Sequence, residues 1–172
     1  ALWSDHYKDI GDFSLAPVID KQVLRETLAT KFKLQEEEKG VYLVRSGGST
    51  QKPVVFPVDI RENLAQRQLL ANELLANGIF SSRTIALNLF SFGDMYRTAS
   101  IMDDILERFS ETTLALSASA TYETMAATSV EFQPNMIMGT PSKLVLFAKF
   151  LQAKGMTCSF ESVLFAGEFL LP

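Results

Sequence analysis

Sulfur and imidazole are almost missing from this sequence: Cys158 and His6 are its single cysteine and single histidine. A lone cysteine forms no internal disulfide, so a reducing, cytoplasmic setting is expected. A cysteine nucleophile needs a base beside it. His6 stands far away in sequence, so Cys158 reads as a small buried residue. One Cys and one His also fall short of a zinc site, and no resident metal is expected. Long apolar runs are missing too. No stretch reaches the ~20 residues that span a bilayer, and no basic start leads into an apolar run as in a secretion signal; no membrane partner is expected. Basic charge is scarce: 16 Lys and Arg against 20 Asp and Glu leave a net charge of −4, and the basic residues are scattered. A nucleic-acid surface needs clustered cations, so that class of partner is excluded. The one tight charge run, Glu36-Glu37-Glu38-Lys39, reads as a solvated loop.

What remains is a packing composition. Hydrophobic residues make up 47% of the 172 positions, with 13 Phe among them, which rules out a disordered chain and allows one domain with a core. Residues 1–17, with Gly11 and Pro17, show no period and read as an irregular lead-in. Leu24, Leu28 and Phe32 recur every four residues and predict a helix over 18–32. Two β-prone runs follow, 41–44 and 54–58, separated by a small polar loop, which predicts a hairpin-like hinge. Pro57 places the second run at a sheet edge, because proline donates nothing to a ladder. Asp59 is a candidate cap for a helix from Ile60 to Asn77, with Gly78 as its stop.

From Thr84 the chain alternates. Strands are predicted over 84–90, 112–118, 135–139 and 162–166. Helices are predicted after a Ser100 cap, over 121–132, and from a Thr140 cap with Pro141 at the first helical position. In the last of these Leu144, Phe147, Ala148 and Leu151 share a face, and Gly155 closes it. Strand–helix alternation with short connections predicts an α/β fold: a mostly parallel sheet joined by right-handed crossovers, with helices on both faces. Such sheets bind ligands beyond the carboxyl ends of their strands, and the last strand here runs into Gly167-Glu168 and the apolar end Phe169-Leu170-Leu171-Pro172. The sheet is therefore expected to be incomplete.

The most informative segment is Ser46-Gly47-Gly48-Ser49-Thr50-Gln51-Lys52-Pro53. Glycines let backbone N–H groups approach phosphate oxygens, hydroxyls add donors, and Lys52 adds a mobile charge. It is not a Walker loop, which has four residues between its first glycine and its Gly-Lys pair and runs into a helix. By composition alone the segment reads as a phosphate loop or as an ordinary polar turn.

This segment resembles the Ser/Thr/Gly-rich nucleotide loop of the adenylate-forming (AMP-binding) superfamily, which typically reads Ser-Ser-Gly-Thr-Thr-Gly-Lys-Pro. Ser46, Gly48, Ser49, Thr50, Lys52 and Pro53 match identically or by Ser/Thr exchange; Gly47 stands for a hydroxyl residue and Gln51 for a glycine. Other segments are similar, in order, to the phenylacetate–CoA ligase and acyl-protein synthetase branch. They are Leu15-Ala16-Pro17-Val18-Ile19-Asp20-Lys21, Phe90-Ser91-Phe92-Gly93-Asp94-Met95, Met138-Gly139-Thr140-Pro141-Ser142 and Val163-Leu164-Phe165-Ala166-Gly167-Glu168.

The resemblance implies an N-terminal portion of an adenylation domain spanning 1–172, with a lead-in and helix over 1–40 and an α/β nucleotide-binding part over 41–172. It implies ATP with Mg2+, a carboxylic acid activated as acyl-AMP, and CoA or a carrier-protein phosphopantetheine as thiol acceptor. It implies that Ser46, Gly47, Gly48, Ser49, Thr50, Gln51 and Lys52 hold phosphates, that Phe92 and Gly93 line the acyl pocket, and that Gly167 and Glu168 lie near the adenine. By residue type alone Phe92 reads as core and Glu168 as a solvated carboxylate. The family's Tyr-Gly-x-Thr-Glu segment, ribose-binding Asp, hinge and late Lys are absent, so the catalytic residues are expected in a missing C-terminal part and the chain alone is expected to be inactive. Two other readings stay open: a degenerate or split nucleotide-binding or interaction module without catalysis, motivated by Gln51 and the apolar end, and an unrelated α/β domain.

Overall fold

The computed structural model describes residues 18–37, 40–46, 53–81, 83–109 and 111–169. The chain divides into two units, 1–38 and 39–172. In the first, helix α1 (Lys21–Lys31) begins at Asp20, whose carboxylate accepts the Gln22 and Val23 N–H groups, both at 2.8 Å. A short 3-10 turn, Leu34–Glu36, follows. The predicted apolar face is only partly covered: Leu24 is exposed and Leu28 and Phe32 are half-buried.

The second unit opens with a hairpin. Strands β1 (Val41–Arg45) and β2 (Val55–Asp59) pair antiparallel, with Leu43 opposite Pro57, in a sheet of two strands among the described residues. Every strand of such a sheet is an edge, which is why Pro57 is tolerated. At the mouth of the hairpin the Ser46 N–H donates to the Val54 carbonyl at 2.8 Å, and the Val54 N–H donates to Ser46 Oγ at 2.9 Å. Asp59 ends β2 and caps helix α2 (Ile60–Ala76), accepting from the Arg61 and Glu62 N–H groups at 2.8 and 3.1 Å.

The remaining elements are β3 (Ile85–Asn88), α3 (Thr98–Glu107), β4 (Thr112–Ala115), α4 (Tyr122–Phe132), β5 (Met136–Gly139), α5 (Pro141–Ala153) and β6 (Ser162–Phe165). The strands form a parallel sheet in the order β4-β3-β5-β6. Its period of two sorts the core onto two faces. Ala86 of β3 and Met136 and Met138 of β5 pack with Ala99, Met102, Ile105 and Leu106 of α3 and Ala71 of α2. Leu87 of β3 and Ile137 of β5 pack on the opposite face with Met125 of α4 and with Phe147 and Leu151 of α5. The predicted α/β architecture, a parallel sheet with helices on both faces, is what the chain adopts.

Two predicted helix caps differ from the observed ones. Helix α3 begins at Thr98 after Arg97, not after a Ser100 cap, and no side chain caps it. The Ala99 N–H instead donates to the Ser91 carbonyl at 3.1 Å, so a tertiary bond satisfies a first-turn donor. Helix α5 does begin after Thr140 with Pro141 in place, but the Thr140 hydroxyl makes no cap bond. The cap comes from Glu168, described below. On α5 Phe147 and Leu151 are buried and Leu144 half-buried, while Ala148 is exposed.

Candidate functional site

Strand order fixes where a ligand can enter. From β3 the chain passes through α3 to β4 at one edge, then through α4 back across to β5 on the other side of β3, and on through α5 to β6. The connections leaving β3 and β5 therefore run to opposite faces of the sheet, and a crevice opens between their carboxyl ends. A cavity of about 380 Å³ lies there. Phe90 and Ser91 after β3, Thr140 after β5, and Ala166, Gly167 and Glu168 after β6 line it, together with Arg45 at the end of β1 and with Tyr96 and Thr98.

Glu168 is fixed on the rim of this cavity. Its carboxylate accepts from the Ser142 N–H at 2.9 Å and from the Ser142 hydroxyl at 2.8 Å. A negative charge at a helix N-terminus is favoured by the unpaired N–H groups and by the dipole. Gly167 precedes it at φ +88°, a conformation that a side chain would strain.

Arg45 reaches the same cavity from the hairpin. Its guanidinium pairs with the Asp94 carboxylate and lies 5.4 Å from the Tyr96 ring centroid, and its N–H donates to the Met95 carbonyl at 3.4 Å. Asp94 and Met95 are the centre of a tight turn closed by two backbone bonds, Gly93 N–H to Tyr96 O at 3.1 Å and Tyr96 N–H to Gly93 O at 2.8 Å. Both central residues have positive φ, 48° and 65°, the pattern of a type I′ turn. Arg97 sits 4.4 Å from the Tyr42 ring, a second cation–π contact between this segment and the hairpin.

A second cavity, about 490 Å³, flanks α3 and is lined by Phe92, Arg67, Ser100, Asp104, Glu107 and Ser117, among others. Phe92 is 63% exposed on its wall, so it is not a core residue. Behind it runs a buried polar network. The Asn88 amide donates to the Ala99 carbonyl at 2.9 Å and to Asp103 at 2.8 Å and accepts from the Phe90 N–H at 3.1 Å; Thr113 also donates to Asp103 at 2.8 Å. Arg67, nearly buried, is held by Asn63 at 2.7 Å and by Asp104 at 3.5 Å.

Of the residues that the sequence singled out, Gly167 and Glu168 share the switch-point cavity, Phe92 lines the second cavity, and Gly93 starts the turn between them. Ser46 stands at the hairpin mouth beside Arg45, with its hydroxyl proton still available to donate. Gly47, Gly48, Ser49, Thr50, Gln51 and Lys52 lie outside the described residues. Cys158 is half-buried in an apolar cavity with Phe147, Leu151 and Phe160. Among the described residues no group of three or more His, Cys, Asp or Glu could hold a metal ion, and no helix is long and apolar enough to cross a membrane. The sequence reasoning missed Arg45. Its signal is a cation at the end of the strand that leads into the glycine-containing loop.

No family model matches the sequence, and no curated protein matches it. Solved structures do. An open conformation of 2-hydroxyisobutyryl-CoA ligase in complex with 2-HIB-AMP and CoA superposes with a TM-score of 0.71 over 89% of this chain and 37% of that one, at 17% identity. The same ligase in the thioesterification state, again with 2-HIB-AMP and CoA, gives 0.68 over 88% and 34%, at 19% identity. In its postadenylation state with 2-HIB-AMP it gives 0.63 over 81% and 30%, at 17% identity. The chain thus spans about a third of the length of these structures. The likeness is one of fold: the chain carries the α/β architecture of one stretch of 2-hydroxyisobutyryl-CoA ligase.

Proposed function

We propose that the chain is the nucleotide-binding part of a larger, cytoplasmic adenylate-forming ligase of the phenylacetate–CoA ligase or acyl-protein synthetase type. One observation carries this reading. The cavity at the topological switch point joins the Gly167-Glu168 turn to the root of the Ser46–Lys52 loop, two segments far apart in sequence that share one ligand in the resemblance. The fold shared with a CoA ligase that binds an acyl-AMP agrees with it.

In this reading a carboxylate oxygen attacks the α-phosphorus of ATP, the bond to the bridging oxygen breaks, and pyrophosphate leaves with the negative charge. The Ser46 hydroxyl, the backbone N–H groups of Gly47, Gly48, Ser49, Thr50 and Gln51, the Ser49 and Thr50 hydroxyls, and the Lys52 ammonium hold the tail phosphates, and Mg2+ accompanies the nucleotide. Such chemistry is governed by positioning and charge stabilisation. Gly167 leaves room for a flat base, and Glu168 stays out of its way because Ser142 holds both carboxylate oxygens. Phe92 and Gly93 border the acid. The acyl group then passes to the thiol of CoA or of a carrier-protein phosphopantetheine. The late Lys and the Tyr-Gly-x-Thr-Glu segment would come from a C-terminal part, so the 172 residues alone are expected to bind nucleotide without turnover.

The test is acid-dependent pyrophosphate release from ATP by the longer protein of the same reading frame, with the isolated chain as control. Release by the longer protein alone fits the reading; release by neither, across a panel of aromatic, fatty and amino acids, sinks it.

A second reading is a split or degenerate module that binds nucleotide or a protein partner without catalysis. Strand β6 favours it: among the described residues it pairs on one side only, with β5, and it exposes Val163 and Phe165. A reading frame that continues into a Tyr-Gly-x-Thr-Glu segment and a late Lys speaks for the ligase; a stop codon after Pro172 speaks for the module.

A further inference from the structure

We propose that Arg45 is the anion-binding residue of the switch-point cavity, and that Asp94 holds its guanidinium in place until a phosphate of the ligand displaces the Asp94 carboxylate. The inference rests on the nucleotide reading only for the identity of that ligand; the chemistry required is a phosphate or pyrophosphate group.

Among the described residues that line the cavity, Arg45 is the one base. Four hydroxyl-bearing residues, Ser91, Tyr96, Thr98 and Thr140, line the same cavity. The cavity's one carboxylate, Glu168, is committed to Ser142 at the N-terminus of α5, where its charge is offset. A guanidinium carries five N–H donors in a planar fork that matches phosphate oxygens. The single acceptor that meets this fork among the described residues is Asp94, through Nη1, while Nε is buried with no hydrogen-bond partner. A shielded donor left unpaired is unfavourable, and an entering anion could relieve it.

Asp94 suits the part of a placeholder. Its side chain is 70% exposed, whereas that of Arg45 is 32% exposed. An exposed carboxylate is well solvated after it lets go, so the exchange is cheap. The Tyr96 ring and the Arg45 N–H bond to Met95 keep the arginine stem in position when Asp94 departs.

A purely structural clasp between the hairpin and the Asp94–Met95 turn would explain the same contact, and the two roles give opposite predictions for one variant. The chain and its Arg45→Ala, Arg45→Gln, Arg45→Lys and Asp94→Asn variants are titrated with AMP and with inorganic pyrophosphate by calorimetry, with circular dichroism to check folding. If Arg45 binds the anion, Arg45→Ala and Arg45→Gln each weaken binding at least tenfold and flatten its salt dependence. Arg45→Lys restores part of the loss. Asp94→Asn, with the competing carboxylate gone, tightens binding severalfold. Arg45→Gln keeps the length of the side chain over the Tyr96 ring, so it serves if Arg45→Ala fails to fold. Unchanged affinity in the Arg45 variants overturns the proposal. Weakening by Asp94→Asn in step with Arg45→Ala overturns it in favour of the clasp, and a wild-type chain that binds neither AMP nor pyrophosphate overturns it outright. Pyrophosphate binding through Arg45 without acid-dependent turnover in the longer protein would leave this inference standing and remove the ligase reading.

Discussion

Ser142 donates both its backbone N–H and its hydroxyl to the carboxylate of Glu168, at 2.9 and 2.8 Å. The contact joins the segment after β6 to the first turn of α5, across 26 residues of sequence. It does the work that the hydroxyl of Thr140, at the cap position, leaves undone.

Removing that cap has a measurable consequence. Glu168→Ala is expected to lower the stability of the chain by about 1 kcal/mol, the usual effect of losing a helix cap. The urea midpoint falls while the slope of the transition is unchanged. Thr140→Ala, by contrast, is expected to be close to neutral because its hydroxyl makes no cap bond.

Asn88 is the polar residue on which the middle of the sheet depends. It is fully buried and makes three hydrogen bonds, one of them to Asp103. Asn88→Leu removes them while keeping similar bulk, which strands the Phe90 N–H and leaves Asp103 with Thr113 alone. A loss of roughly 2–4 kcal/mol is expected, because unpaired buried groups pay their full desolvation cost. Chemical denaturation measures it.

The two phenylalanines Phe147 and Phe92 should behave oppositely. Phe147 is 1% exposed between α5 and the sheet, and Phe147→Ala is expected to cost about 3–5 kcal/mol. Phe92 is 63% exposed, and Phe92→Ala is expected to stay within about 0.5 kcal/mol of wild type. Under the proposed ligase function, the same Phe92→Ala change in a longer protein is expected to alter the preference among acids, read as a change in kcat/KM from one acid to another.

The turn at Asp94-Met95 offers a stabilising change. Met95 sits at φ 65°, where a side chain costs about 1 kcal/mol relative to glycine. Met95→Gly turns the centre into Asp-Gly, the pair that a type I′ turn prefers. A gain of up to about 1 kcal/mol is expected, read as a rise in melting temperature with the Arg45–Asp94 pair intact.

Much of the fold is legible because its signals are local. Asp59 caps α2, Pro141 opens α5, and the alternation of β3 and β5 sends Ala86 and Leu87 to opposite faces, all from residues a few positions apart. What escaped depends on partners distant in sequence. Helix α3 starts early because Ala99 finds the Ser91 carbonyl, so the hydroxyl of Ser100 is not needed as a cap. The predicted strands over 84–90 and 112–118 shorten to Ile85–Asn88 and Thr112–Ala115. Beyond them the Phe90 carbonyl accepts from the Ala118 N–H at 2.9 Å and the Ser117 carbonyl from the Ala120 N–H at 3.3 Å, both in the loop before α4. The Ser117 N–H still reaches the Asn88 carbonyl of β3 at 3.0 Å. The Arg45–Asp94 pair spans 49 residues, and no periodicity encodes it. The same holds for the site. The Gly167-Glu168 turn is readable as a motif, but the Ser142 contact that restrains it appears only once β6 lies beside β5.

In the proposed function this chain receives an adenine nucleotide across the switch point. Amide hydrogen exchange of the 172-residue chain, with and without ATP and Mg2+, tests it most directly. Slowed exchange in both the 46–52 loop and the 166–168 turn, together with a raised melting temperature, is the predicted result. Identical exchange in both segments and an unmoved melting temperature at millimolar ATP would contradict it.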